Sequence, residues 1–298
     1  MVSGERCIKE VDAAWLSHLP TTLAQCAERW SLTVGAPFEP LSRNFVTPSL
    51  RADGTEVVLK LSVPNAELLT EIAALRLFNG QSMVQLLEAD AEAGAILLER
   101  LKPGTPLSKL FDDNDDEQAT SIAAQLMRQL WKPATSEHLF PNIQEWADGL
   151  KKMRGHFGGG TGPFSSTLVT TAETLFRELI DSMTEAVLLH GDLHHQNILA
   201  AEREPWLAID PKGVIGEPAY EVGALLRNPM PQLMSAPQVK RILARRVDQL
   251  AAELELDRER VVGWGLAQAV LAAWWQYEDD GQGWEMWMAC ADVLSALR

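Results

Sequence analysis

The 298-residue chain is poor in cysteine, in tyrosine, in long apolar runs and in positive charge. Its three cysteines, Cys7, Cys26 and Cys290, are odd in number and far apart. That excludes a disulfide framework and a zinc-type spacing, and it predicts a reducing, cytoplasmic setting. The first residues, MVSGERCIKEVDAAW, have no continuous apolar stretch of the kind a signal peptide carries. The most apolar segment, 261–277, is interrupted by Gln268 and two glycines, so no membrane span is predicted. Lysine and arginine total 26 against 41 acids, a formal net charge of -15. A phosphate backbone needs a basic footprint, so nucleic acid is excluded as a partner, while a cationic small molecule is compatible.

What is present is an ordinary globular composition, 46% hydrophobic and 22% charged, which argues against disorder. Residues 1–40 read as helices broken at Pro20. Two β-rich runs then flank Ala52-Asp53-Gly54, a hairpin signature. A helix follows over 65–78, with Leu68, Leu69, Ile72, Leu75 and Phe78 on one broad face and Asn79-Gly80 as its stop. Two short strands fit around residues 83–90 and 94–101. Lys102 to Pro106 is a punctuated connector. Beyond it the pattern is helical, over 116–130, 143–153, 166–184, 238–255, 258–277 and from Trp284 onward, around one β-type island at 186–213. The predicted plan is α+β and bilobal: a small β-rich N-terminal lobe with leading helices (1–100) and a larger, mostly helical C-terminal lobe (101–298).

The island carries the chemistry. His190-Gly191-Asp192-Leu193-His194-His195-Gln196-Asn197 lies between apolar runs, and Asp210 ends the next one. Strand, polar loop, strand, turn, strand, acid sets three oxygen-bearing side chains at neighbouring ends of a small ribbon. Phosphoryl transfer from a nucleotide needs such a set: one carboxylate for the acceptor hydroxyl, an amide and a second carboxylate for Mg²⁺. Upstream, Lys60 is a lone lysine on a hydrophobic strand and Glu71 sits on the following helix. A strand lysine anchored by a helix glutamate is the phosphate-orienting pair of kinase sites. Any one of Asp192, Asn197 and Asp210 has a bland alternative as a turn cap; the three at this spacing, with Lys60 and Glu71, favour function. The glycines at 158–160 lack a lysine and a preceding strand, so they read as a connector. The acidic run 112–117 reads as a helix N-terminus whose acids cap it and complement its dipole.

The loop resembles the H-x-D-x-x-x-x-N catalytic loop of the protein-kinase-like fold, in the form used by aminoglycoside phosphotransferases. Within that superfamily, the stretches Trp30–Leu32, Val57–Lys60, Leu97–Leu101 with Pro103-Gly104, and Ile209–Pro229 (IDPKGVIGEPAYEVGALLRNP) resemble the aminoglycoside/hydroxyurea kinase family, which includes streptomycin 6-kinases. The resemblance implies that Asp192 is the catalytic base, Asn197 and Asp210 the Mg²⁺ ligands, and Lys60 with Glu71 the phosphate-binding pair. It also implies that the backbone of Glu99 to Leu101 is the hinge that meets adenine. Two departures stand out. The phosphate-covering loop around Leu41 to Asn44 has no G-x-G-x-x-G, so the cover falls to Ser42 and Asn44 or to backbone amides. Asp210 is followed by Pro211, not Phe-Gly, which speaks against a flipping switch.

For the acceptor, Glu278-Asp279-Asp280 closes the helix predicted over 258–277, where acids face the negative end of the dipole and call for a cation. Trp274 and Trp284 flank this cluster and can wall a pocket. The expectation is an ATP- and Mg²⁺-dependent kinase for a hydroxyl of a small cationic molecule, most readily a streptomycin-type aminoglycoside. Hydroxyurea or an endogenous amino sugar or amino alcohol stays open as acceptor. A nucleotide-binding pseudokinase-like module is the alternative from another class.

Overall fold

The structure, a computed structural model, describes residues 4–38, 44–134 and 139–298, with side chains from residue 14 onward. By its internal contacts the chain divides into two compact units, Met1–Gly104 and Thr105–Arg298.

The first unit holds α1 (Gly4–Arg29), β1 (Leu32–Val34), β2 (Phe45–Arg51), β3 (Glu56–Leu61), α2 (Ala66–Phe78), β4 (Leu86–Asp90) and β5 (Ala95–Glu99). Its sheet runs β1-β2-β3-β5-β4 with antiparallel pairs throughout, so β3 is central. Strand residues alternate between faces. Val57, Leu59 and Leu61 of β3, with Ala95 and Leu97 of β5, bury one face against Trp15, Leu19, Leu23 and Cys26 of α1. Lys60 falls on the other face, opposite Val46 and Ile96 in register.

Two expectations fail here. α1 runs unbroken through Pro20. An interior proline costs about 3 kcal/mol, and burying a large apolar side chain returns about 1.5–3 kcal/mol. The packing of Trp15, Leu19 and Leu23 on the sheet spans that proline and outweighs it. In α2, Leu69 is not on the buried face but is 49% exposed; the inward positions are Leu68, Glu71, Ile72, Ala74, Leu75 and Phe78. The α2 boundaries follow from its caps. Asn65 accepts a hydrogen bond from the Leu68 N–H at 2.9 Å, and Asn79 closes the helix in the left-handed region.

β6 (Pro103–Pro106) carries the chain into the second unit. There follow α3 (Ser108–Asp112), α4 (Asp116–Leu130), β7 (Lys132–Pro133), α5 (Ile143–His156), α6 (Ser166–Asp181), β8 (Val187–Leu189), β9 (Ile198–Ala201), β10 (Trp206–Ala208), β11 (Val214–Gly216) and α7 (Pro218–Leu226). The chain ends with α8 (Gln232–Ser235), α9 (Val239–Leu254), α10 (Arg258–Asp280) and α11 (Glu285–Ser295). α10 is the central helix, buried from Val261 to Trp274 and packed on α6, α7 and α11. It extends through the three acids, and Gly281, at φ 70°, ends it.

The acidic run at 112–117 is more than a helix start. Asp115 takes the N-cap position of α4 without a side-chain capping bond. Asp116 instead meets Arg245 and the fully buried Arg246 of α9, whose Nη2 lies 2.6 Å from its Oδ1. Burial works against the Asp116 carboxylate, but His195 and the two arginines hold its pKa well below the usual range. Among the described residues, no helix is long and apolar enough to cross a membrane.

Candidate active site

In the first unit the candidate residues rest on β3 and α2. Lys60 is 3% exposed and its Nζ donates to Glu71 Oε1 at 2.7 Å. A buried ion pair gains direction at the cost of desolvating both charges, so its value here is to fix where the ammonium points. Glu99, at the end of β5, turns its carboxylate and its own N–H to Gln85: Oε1 accepts from the Gln85 N–H at 2.9 Å, and the Glu99 N–H donates to Gln85 O at 3.0 Å. Leu101 is 7% exposed. Asn44 is half-buried at the entry to β2, and Ser42 lies outside the described residues.

In the second unit two antiparallel pairs frame the loop at 190–197. β8 pairs with β11, Leu189 opposite Val214, and β9 pairs with β10, Ile198 opposite Ala208. The loop between them is pinned by its own polar groups. Gly191 sits at φ 86°, and a Cβ there would lie 2.9 Å from Trp146, so only glycine fits. His190 is fully buried, with Nε2 2.8 Å from Ile209 O and Nδ1 accepting from the Asp192 N–H at 3.2 Å. Burial pushes its pKa down to about 4, so at neutral pH it is an uncharged brace with its proton on Nε2.

Beneath the loop lies Glu221 of α7, 2% exposed. Its Oε2 accepts from the His190 N–H at 2.7 Å, its Oε1 from the Gly191 N–H at 3.0 Å, and the Leu193 N–H adds a third bond. Burial raises its pKa to about 7 despite these donors. The sequence pattern alone assigns Glu221 no role; a glutamate inside an otherwise apolar helical run is the one signal that could have found it.

Asp192 stands between an arginine and a histidine. Its Oδ1 is 3.3 Å from Arg227 Nη2 and its Oδ2 is 3.6 Å from His194 Nε2. Burial alone would raise its pKa, but His194, Arg227 and Lys212 outweigh it and keep the carboxylate ionised. Asn197 donates Nδ2 to the Asp192 carbonyl at 3.0 Å, which leaves Oδ1 as its metal-competent atom. The Ile209 N–H donates to Asn197 O at 2.9 Å, so Asp210 follows directly from the strand that pairs beside Asn197. Asp210 adopts φ 58°, a left-handed conformation that costs a non-glycine residue free energy and recurs at functional sites. An amide oxygen and a carboxylate are the hard donors that Mg²⁺ takes alongside phosphate oxygens. The residues fit that ion.

A cavity of about 340 Å³ opens beside Asp192, and Arg227, Trp275, Gln276, Asp279 and Trp287 are among its walls. The acidic cluster therefore divides. Asp279 lines the cavity; Asp280 accepts a hydrogen bond from Gln276 Nε2 at 2.7 Å, and Glu278 is exposed without lining it. Trp274 is a correction. It is 2% exposed, packed among Phe157, Phe164, His156 and Tyr277, and does not line this cavity. Trp284 packs on Phe164. Adjacent helix positions face directions about 100° apart, so Trp275, not Trp274, reaches the cavity, joined by Trp287 from α11.

The family model for aminoglycoside/hydroxyurea antibiotic resistance kinases matches residues 29–281. A streptomycin 6-kinase of Streptomyces griseus is 34% identical over 280 residues, which covers 91% of this chain and 87% of that protein. A hydroxyurea phosphotransferase of Kitasatospora aureofaciens is 36% identical over 272 residues, covering 89% and 75% respectively. Among solved structures, the aminoglycoside phosphotransferase APH(4)-Ia in ternary complex with ADP and hygromycin B is similar in fold. Its TM-score is 0.63 at 14% identity, over 92% of this chain and 96% of that one. The fold is protein-kinase-like.

Proposed function

The chain belongs to the aminoglycoside/hydroxyurea antibiotic resistance kinase family and is a phosphotransferase acting on a hydroxyl group, and from that premise we propose that it phosphorylates a streptomycin-type aminoglycoside at the expense of ATP. The observation that carries this reading is the cavity beside Asp192, with a carboxylate at Asp279 and indole walls at Trp275 and Trp287. A cationic sugar presents both charge and flat faces to such a site. At about 340 Å³ the cavity is also far larger than hydroxyurea, a molecule of a few heavy atoms. Hydroxyurea remains the competing acceptor because a relative 36% identical carries that activity in its name.

In this mechanism the acceptor oxygen attacks the γ-phosphorus. The new O–P bond forms as the bond to the β,γ-bridging oxygen breaks, ADP leaves, and the hydroxyl proton passes to Asp192 and then to solvent. Because Asp192 is held ionised, it is a weak base whose main work is to orient the hydroxyl, which suits a loose phosphoryl-transfer transition state. Lys60, steadied by Glu71, is assigned to the α- and β-phosphates. The Glu99 carbonyl and the Leu101 amide are assigned to adenine, and Asn44 to the phosphates. Mg²⁺, held by Asn197 Oδ1 and Asp210, would neutralise phosphate charge.

The test is a panel of streptomycin-type aminoglycosides, hydroxyurea and amino alcohols, scored by the mass gain of one phosphate. Asp192→Ala and Asp210→Ala are expected to lower kcat by about 10³-fold or more while circular dichroism is unchanged. Near-normal rates in either variant remove the mechanism, and phosphorylation of hydroxyurea alone removes the acceptor assignment.

A further inference from the structure

The catalytic loop, His190 to Asn197, contains no lysine or arginine, yet phosphoryl transfer concentrates negative charge beside its aspartate. The structure brings a cation there from elsewhere in the chain. Arg227 is the C-cap residue of α7, 6% exposed. Its Nη2 reaches Asp192 Oδ1 at 3.3 Å while its Nη1 donates to Gln268 Oε1 at 2.7 Å. Gln268, 4% exposed on α10, in turn donates Nε2 to the Tyr220 carbonyl of α7. The two helices approach closely enough for this because position 223 is glycine, where a Cβ would lie 2.4 Å from the Gln268 side chain. The guanidinium is thus held from behind by an amide that is itself held, and its other edge meets the carboxylate where that carboxylate lines the cavity.

We propose that Arg227, held by Gln268, is a positioning residue for the transfer step: it fixes the Asp192 carboxylate in the orientation that receives the acceptor hydroxyl. A planar guanidinium can bridge Gln268 and Asp192 at once; a lysine ammonium is a point charge on a flexible stem and cannot. Without the bridge the carboxylate is free to rotate toward His194 or Lys212, the other side chains that act on it. Misplacing a reacting group by about 1 Å costs about 10²-fold in rate. This inference rests on the reading of Asp192 as the group that orients the acceptor.

Kinetics of Arg227→Met, Arg227→Lys, Gln268→Leu and the Arg227→Met/Gln268→Leu double variant test it. Arg227→Met is expected to lower kcat about 100-fold with KM for ATP within twofold. Arg227→Lys should recover part of that loss, and Gln268→Leu should lower kcat several-fold. The double variant should be no slower than Arg227→Met, because Gln268 acts through Arg227. Full kcat in Arg227→Met, in a preparation where Asp192→Ala is inactive, overturns this proposal and leaves the Asp192 mechanism standing. An active Asp192→Ala instead removes the mechanism itself. Additive losses in the double variant, or a loss confined to KM, also overturn it. Should Arg227→Met not fold, Arg227→Lys and Gln268→Leu are decisive, and wild-type kcat in both overturns the proposal.

Discussion

Each unit contains an ion pair to which the proposed mechanism gives a role, and the two are built differently. Lys60 and Glu71 meet at 2.7 Å with side chains 3% and 8% exposed. Arg227 and Asp192 meet at 3.3 Å, and Asp192 keeps 27% of its side chain exposed. The first pair is closed. It lies between a central strand and a covering helix, and its carboxylate serves to aim an ammonium. The second is open, with its arginine enclosed and its carboxylate facing the cavity. A carboxylate that must receive a substrate cannot be sealed by its partner, whereas one that only orients a lysine can. The open pair therefore has less to lose in stability and more in rate.

The strongest way to break this contrast is to remove one acid from each pair. Glu71→Ala leaves a buried ammonium without that carboxylate, and chemical denaturation is expected to show a loss of about 3–5 kcal/mol. Asp192→Asn keeps the shape and leaves Arg227 with Gln268, so its loss should stay within about 2 kcal/mol. Its kcat should nonetheless fall by about 10³-fold. Equal stability losses in the two variants would show that the second pair is as structural as the first.

Another buried carboxylate sharpens the comparison, because Glu221 is bonded to backbone amides where Glu71 meets an ammonium. Burial raises its pKa to about 7, above the unfolded glutamate value of about 4.3. The folded state therefore holds this proton more tightly than the unfolded chain does. The contribution to stability is complete below about pH 4.3 and is lost as pH rises through about 7. Spread over that window it amounts to something on the order of 3 kcal/mol. His190 and His195, buried and pushed down to about 4 and about 3, act with the opposite sign, their contribution being lost as pH falls below about 6.5. The informative quantity is thus the difference between wild type and Glu221→Gln. That difference should shift against the wild type as pH rises from 4.5 to 7.5 in a series of urea melts. A flat difference would place the Glu221 pKa near its unfolded value.

How much of the site is legible in the sequence follows the same division. Lys60, Glu71, Asp192, Asn197 and Asp210 are recognisable as candidates because the roles proposed for them depend on residue type at fixed spacing along strands and one short loop. The β3–α2 geometry and the β8 to β10 ribbon deliver those spacings locally. Arg227 and Trp287 are not legible as cavity residues, since each reaches the cavity through the packing of α7, α10 and α11, and Gln268 meets Arg227 from behind without lining it. Contacts between residues 192, 227 and 268 depend on helix crossings that no local pattern encodes. Trp274 and Trp275 show the limit most sharply: one step along a helix separates an aromatic core from a cavity wall. Pro20 misleads for a related reason, as a local breaker is outweighed by tertiary burial.

The smallest expected effect tests the open side of the second pair. Asp279 is exposed, lines the cavity, and sits in the last turn of α10, which contains no basic residue of its own. A cationic group of the acceptor would complement both the carboxylate and the helix end. Exposed pairs of this kind contribute about 0.2–1 kcal/mol, so Asp279→Asn is expected to raise acceptor KM up to about fivefold with kcat unchanged. Added salt should narrow the gap, since an exposed charge is screened within about 10 Å at 0.1 M. Glu278→Gln and Asp280→Asn should stay within the scatter of wild type, because one does not line the cavity and the other is turned to Gln276. Equal KM shifts in all three would mean the cluster acts as a diffuse field, and no shift in any would remove the cationic end of the acceptor from the proposal.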